Sequence, residues 1–175
     1  MPKLRKMLSD INAPYIQSLM RLIETQSTAT IAGWCIGYAQ TNLLPLWASS
    51  IPEDARPMAA LDAAQKFLAG KTTLPEAKKQ ITACRDAARE AARFPVAQGA
   101  ARAIDACASS IHNPSACLGI ALYGALALAY YQAGTDAAWD TLEPIAAAEC
   151  NKMEAALRAV AIDDEANRAN IKWNC

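Results

Sequence analysis

Histidine occurs once, at His112, and phenylalanine twice in 175 residues. A lone imidazole cannot complete a Cys2His2 zinc site, and it cannot supply the paired Glu-x-x-His motifs of a di-iron bundle. Six cysteines are present, at 35, 84, 107, 117, 150 and 175, but no two have C-x-x-C spacing, so zinc ribbons are excluded as well. Net charge is also missing. Seventeen basic residues balance seventeen acidic ones, which removes any long-range pull toward nucleic acid or an anionic membrane, and neither is expected as a partner. Glycine-rich phosphate loops, dinucleotide fingerprints, Asp-rich calcium loops and the strained nucleophile elbow are absent too. No metal and no cofactor is expected.

The first twenty residues, "MPKLRKMLSDINAPYIQSLM", are basic but lack the apolar run and small-residue cleavage site of a signal peptide. The longest apolar run, "ACLGIALYGALALAYY" from Ala116 to Tyr131, falls short of the ~20 residues a bilayer requires. Much of it is alanine and glycine, and it reads as a buried central helix. Most cysteines sit in alanine-rich helical patterns, where a free thiol acts as a small hydrophobe; reduced thiols and a cytoplasmic setting follow. The disulfide alternative rests on Cys150 and Cys175, which are least confined by those patterns.

What is present is helix. Hydrophobic residues make up 53% and no stretch alternates in the manner of a strand, so the chain reads as one compact all-α domain, residues 1–175, of about six to eight helices. Helices are expected at about 14–24 and 27–47, the second bent or ended by Pro45. Asp54 reads as the N-cap of a third, with Pro57 in its first turn. Met58, Leu61, Ala64, Phe67 and Leu68 form its buried stripe and Gly70 stops it. Thr73 and Glu76 form a capping box for a helix reaching about Phe94, before Pro95. Further helices are expected at about 96–111, 115–132 and 136–161, the last capped by Thr135 and carrying Pro144. Ile171 and Trp173 in the polar tail are placed to dock on the body.

Two constellations carry possible chemistry. Asp105, Ser109 and His112 share one helix face, yet parallel side chains on one helix do not make a base grip a nucleophile. A partly buried histidine holding the helix end is the plainer reading. In "CRDAAREAAR", Arg85, Arg89 and Arg93 recur every four residues beside Asp86 and Glu90. This is either a solvated face laced with ion pairs or a recognition face gripping carboxylates or phosphates. Arg102 and Asp105 extend it if the two helices form a hairpin. Arg56, near the positive end of its helix, needs an acidic partner from another segment, with Glu90 and Asp105 the choices. Such a pair would floor a polar depression near His112.

The strings "MLSDINAPYIQSLMRLIETQS", "NLLPLW" followed by "PEDARP", "ALDAAQKFLAGK" and "CRDAAREAARFPVAQGAARAI" occur in that order. "SSIH" with "LGIALYGALALAY", then "AECNKMEAALRAVA" and the closing "IKWNC", complete the series. Together they resemble a family of bacterial immunity proteins, the "like" branch of the fifth numbered immunity class of polymorphic toxin systems. The resemblance implies a helical protein that binds a cognate protein toxin and blocks it by occlusion, without turnover. The chain departs from the family at Arg85 and Ala116, where members carry histidines, and at Met58, where arginine is frequent. Asp54, Arg56, Arg89, Glu90 and His112 are the retained polar set; with Arg85 and Asp105 they are the candidate binding residues. Two other readings stay open. One is a helical enzyme or small-ligand-binding protein using the Arg/Glu/His cluster between helices. The other is an assembly module that forms homo-oligomers through an apolar helix.

Overall fold

The computed structural model describes residues 3–174. Among these the chain folds as α1 (Pro14–Ile23), α2 (Thr28–Tyr38), α3 (Leu44–Ala48), α4 (Arg56–Leu68), α5 (Leu74–Glu90), α6 (Pro95–Ser109), α7 (Leu126–Ala133) and α8 (Trp139–Val160). No strand occurs among the described residues, only one isolated bridge between Ser27 and Arg168. The fold is all-α, as expected.

α6 is the central post. Ala97, Ala100, Ala101, Ala103, Ile104, Cys107 and Ala108 are fully buried along it, and α2, α3, α4, α5 and α7 all pack against it. Its alanine surface permits backbone approach that larger side chains would prevent. Glycine permits the approach from both sides: on α6 a Cβ on Gly99 would meet Ala127 at 3.0 Å, and on the segment before α7 one on Gly124 would meet Ala103 and Leu43 at 3.3 Å.

Helix boundaries follow local chemistry. Gly70 has φ +70; Lys71 N–H donates to the Lys66 carbonyl at 2.8 Å and Gly70 N–H to Phe67 at 3.0 Å, a Schellman closure of α4. Thr73 Oγ1 accepts from Glu76 N–H at 3.4 Å, but the Glu76 carboxylate turns to Lys79 at 2.8 Å, so only half of the capping box forms. α5 stops at Glu90, earlier than expected, because the chain needs a further turn to bring Phe94 into the extended conformation (φ −123, ψ 81) that Pro95 demands.

Three expectations are corrected and one is met in part: Pro45 distorts the helical path without ending it. It cannot donate to the Thr41 carbonyl, and the backbone widens into a π turn over Ala39–Leu43 before α3 resumes. The apolar run is not one α-helix but a 3-10 turn, Pro114–Leu118, a π segment, Ile120–Ala125, and then α7. Within that segment the Leu122 carbonyl is taken by Leu8 N–H at 2.8 Å, which pins the N-terminal arm. Met58 and Leu68 are 54% and 38% exposed: of the expected stripe α4 buries Leu61 and Ala64, and it adds Pro57, Ala60 and Ala63, its smaller side chains facing α5 and α6. Thr135 does not cap α8, which begins after Ala138, where Trp139 docks on the core with the Arg5 guanidinium 4.0 Å above its ring.

The run Pro114–Ala133 is long enough for a membrane span and contains an 18-residue window of mean hydropathy 1.4, of which 67% is buried within the protein. Five cysteines are buried free thiols; Cys175 lies outside the described residues. Burial raises the pKa of Cys35, Cys84 and Cys117, and that of Cys150 to about 12. The tail docks through Gln26, whose amide exchanges hydrogen bonds with Ile162 (2.9 and 3.2 Å). Glu165 accepts from Ser27 N–H, Ser27 Oγ and Thr30 Oγ1, each at 2.7 Å, and Trp173 Nε1 donates to Glu24 at 2.7 Å.

Candidate functional site

Two polar clusters form on neighbouring surfaces of α5. The first is a corner where α4 begins and α5 ends. Trp47, 2% exposed, lies among Ala87, Ala88, Ala91, Ala97 and Ala101, and its indole N–H donates to the Asp54 carbonyl at 2.8 Å. That bond fixes the turn before α4. Asp54 Oδ1 accepts from the Arg56 backbone N–H and from Arg56 Nε, both at 3.0 Å, while Oδ2 accepts from Nη2 at 2.6 Å. Asp54 is therefore not the expected N-cap: Ala55 stands there without a side-chain capping bond, and Asp54, one residue earlier, reaches only the N–H of the first helical residue, since Pro57 has none to give. Arg56 reaches across to Glu90 with Nη2 at 2.6 Å and Nη1 at 3.3 Å. Each charge sits at the unfavourable end of its own helix, arginine at the start of α4 and glutamate at the end of α5, so the pair offsets two dipole costs together.

The hydrogen bond from the Arg56 side chain lowers the Asp54 pKa below its usual 3.8, and the same guanidinium lowers that of Glu90. A depressed carboxylate contributes stability above its unfolded pKa and loses it as pH falls through the folded value. Wild type should therefore lose stability below about pH 4 more steeply than Asp54→Asn, measured by denaturant midpoints across acid pH. The Arg56→Ala and Glu90→Ala effects should fail to add, whereas Arg56→Ala and Asp105→Ala should add, because Asp105 is held elsewhere. Additivity in the first cycle would remove the corner as a unit.

Asp105 belongs to the second cluster. Arg85 grips it in bidentate fashion, Nε to Oδ2 at 2.9 Å and Nη2 to Oδ1 at 3.1 Å, tying α5 to α6 as a hairpin. Ser109 Oγ donates to the same carboxylate at 3.3 Å. Arg89, 71% exposed, pairs with Asp86 at 3.0 Å. Beside these residues lies a cleft of about 560 Å³ between α5, α6 and the segment that follows α6. Arg85, Arg89, Arg102, Asp105 and His112 line it, over a floor that includes Leu118 and Leu122. Gly119 is part of this wall, and a Cβ there would collide with that of Ala106.

The seven expected residues thus divide. Arg85, Arg89, Asp105 and His112 border the cleft; Asp54, Arg56 and Glu90 form the corner next to it and do not floor it. His112 does not hold the end of α6 with its ring. The end is closed by Ser110 Oγ donating to the Cys107 carbonyl at 2.6 Å and by backbone turns, including His112 N–H to Ser109 at 3.2 Å. The imidazole is left exposed with no hydrogen-bond partner among the described residues, so no Ser–His pair forms. Sequence reasoning missed Asn113, Ser115 and Tyr123 on the cleft wall; the Asn-Pro-Ser turn was the only available signal.

Partial desolvation, then the charges of Lys78 and Arg85, lower the His112 pKa below 6.5, which leaves the ring neutral at pH 7. With a single histidine, a proton NMR titration reads this directly. Arg85→Gln should raise the value, since it removes a cation and releases the Asp105 carboxylate. A wild-type value at or above 6.5 would contradict this electrostatic description of the cleft.

No group of three or more His, Cys, Asp or Glu side chains suited to a metal ion occurs among the described residues. No curated protein and no solved structure matches the chain. A sequence profile described as "Imm-5 like putative immunity protein" does match, over residues 21–156, a span holding both polar clusters and well over half the chain; the protein belongs to that family.

Proposed function

We propose that this protein binds a cognate toxin of a polymorphic toxin system and neutralises it by occlusion, in the cytoplasm of the cell it protects, as a binding protein without catalytic turnover. Membership of the immunity family across residues 21–156 carries this reading. The corner and the adjoining arginine ridge support it as the docking face. Arg56, Arg85 and Arg89 are each held by an acid, so their guanidiniums are oriented before a partner arrives and lose less freedom on binding. Two exposed apolar side chains accompany them: Met58, just after Arg56, and Phe94, just after the end of α5, at 54% and 44% exposure. Arginine and aromatic side chains are the composition of binding hot spots.

The test is genetic. An open reading frame for a toxin beside the gene should arrest growth when expressed alone, and co-expression of this protein should restore growth. Charge reversal at Arg89 with Phe94→Ala should abolish the rescue without changing the fold. Arrest that persists in the presence of wild-type protein would defeat the reading.

A further inference from the structure

The cleft beside α6 has an uneven balance of spent and unspent polar groups. Its one lining carboxylate, Asp105, is taken by Arg85 and Ser109, and the Asn113 amide oxygen is taken by Ser115 Oγ at 2.9 Å. Arg85 and Arg89 are taken by Asp105 and Asp86, but two further donors on the wall are not taken. Arg102 is half-buried on the wall, with no acidic group within ion-pair distance and no hydrogen-bond acceptor among the described residues. The Tyr123 hydroxyl, also on the wall, has no partner there either. With Arg85 paired to Asp105 and Arg89 to Asp86, the charge of Arg102 is the uncompensated one on the lining, and Lys78 adds to the field at His112. A half-buried guanidinium without a counter-charge is an unusual feature in a chain that pairs Arg56, Arg85, Arg89 and Arg158 with acids.

Shape adds to charge. The volume, about 560 Å³, lies within the roughly 300–1,000 Å³ of small-molecule sites. The floor is apolar, from Leu118 and Leu122, and the rim is cationic. We infer that this cleft is a binding site for a small organic anion, a carboxylate or phosphate head on a compact apolar body, with Arg102 as the residue that receives the head group. The head lies against Arg102 with Arg85 and Arg89 nearby, and the body rests on Leu118, Leu122 and the Tyr123 ring. This inference stands apart from toxin binding and holds or fails without it.

Phenyl phosphate and phenylacetate are suitable probes, with phenol as the uncharged body and sodium chloride at matched ionic strength as the control for screening. The single histidine reports occupancy, because an anion beside it raises its pKa. Saturable binding of at least one of the two anions is expected, with an upward shift of the His112 titration larger than in sodium chloride. In Arg102→Gln, affinity should fall at least tenfold with the melting midpoint unchanged, since Arg102 has no protein partner to lose. If that variant is unstable, Arg102→Lys should retain a saturable but weaker response. The inference is overturned if neither anion saturates, if phenol binds as tightly as the anions, if sodium chloride reproduces the His112 shift, or if Arg102 variants bind like wild type.

Discussion

Trp47→Ala is expected to lower the melting midpoint by about 6–20 °C, from a cost of about 3–5 kcal/mol at roughly 2–4 °C per kcal/mol. The indole fills a socket of five alanines on α5, α6 and the turn between them, whose side chains are too short to fill the vacated space, with Ile51 the larger, partly buried neighbour. Its N–H also fixes the Asp54 carbonyl at 2.8 Å, so the same substitution frees the turn that presents Arg56 to Glu90. Trp47→Phe separates the two effects. It keeps part of the packing and removes the donor, so a smaller loss of stability should accompany the loss of coupling between Arg56 and Glu90. A Trp47→Ala protein melting within about 2 °C of wild type would show that the alanine socket is not a packed unit.

Gly119→Ala sets two effects of opposite sign against each other. Gly119 has helical torsions (φ −57, ψ −23), so propensity alone favours alanine by about 0.5–1 kcal/mol. The added Cβ, however, would collide with Ala106 on α6, where both partners are tied to packed backbone. Overpacking of this kind costs about 1–3 kcal/mol, and destabilisation should win. The pair Gly119→Ala with Ala106→Gly moves the methyl group from one wall to the other and should recover much of the loss. A neutral single variant, or a double variant no better than the single, would mean that α6 and the segment after it are not in close contact. That contact also shapes the cleft, so Gly119→Ala should weaken anion binding along with stability.

Much of the helical layout was legible because it is punctuated locally. Gly70 and Gly134 take positive φ where helices stop, and Thr73 caps α5. The partner of Arg56 was legible for an electrostatic reason: a guanidinium at the positive end of a helix calls for an acid, and Glu90 supplies it. The choice of Glu90 over Asp105 was not legible, since it depends on Arg85 holding Asp105 across the hairpin. The π turns were hidden because they arise where Pro45 and a tertiary bond to Leu8 redirect carbonyls, which a helical periodicity does not record. The exposure of Met58 was hidden because, in so alanine-rich a chain, the closest packing belongs to the smaller face of α4 and not to the more hydrophobic one. The cleft draws on α5, α6 and the following turn, so its shape exists only after those segments meet.

Occlusion and turnover differ most plainly in stoichiometry. The deciding measurement is a titration of the cognate toxin's activity with purified protein at a toxin concentration well above the dissociation constant. Binding by occlusion predicts a linear loss of activity that ends at one protein per toxin, with the endpoint lost when Arg89 is charge-reversed and Phe94 is replaced by alanine. Full protection at a small fraction of that ratio, increasing with time, would mean that the protein acts as an enzyme on the toxin or its product, and would contradict the account.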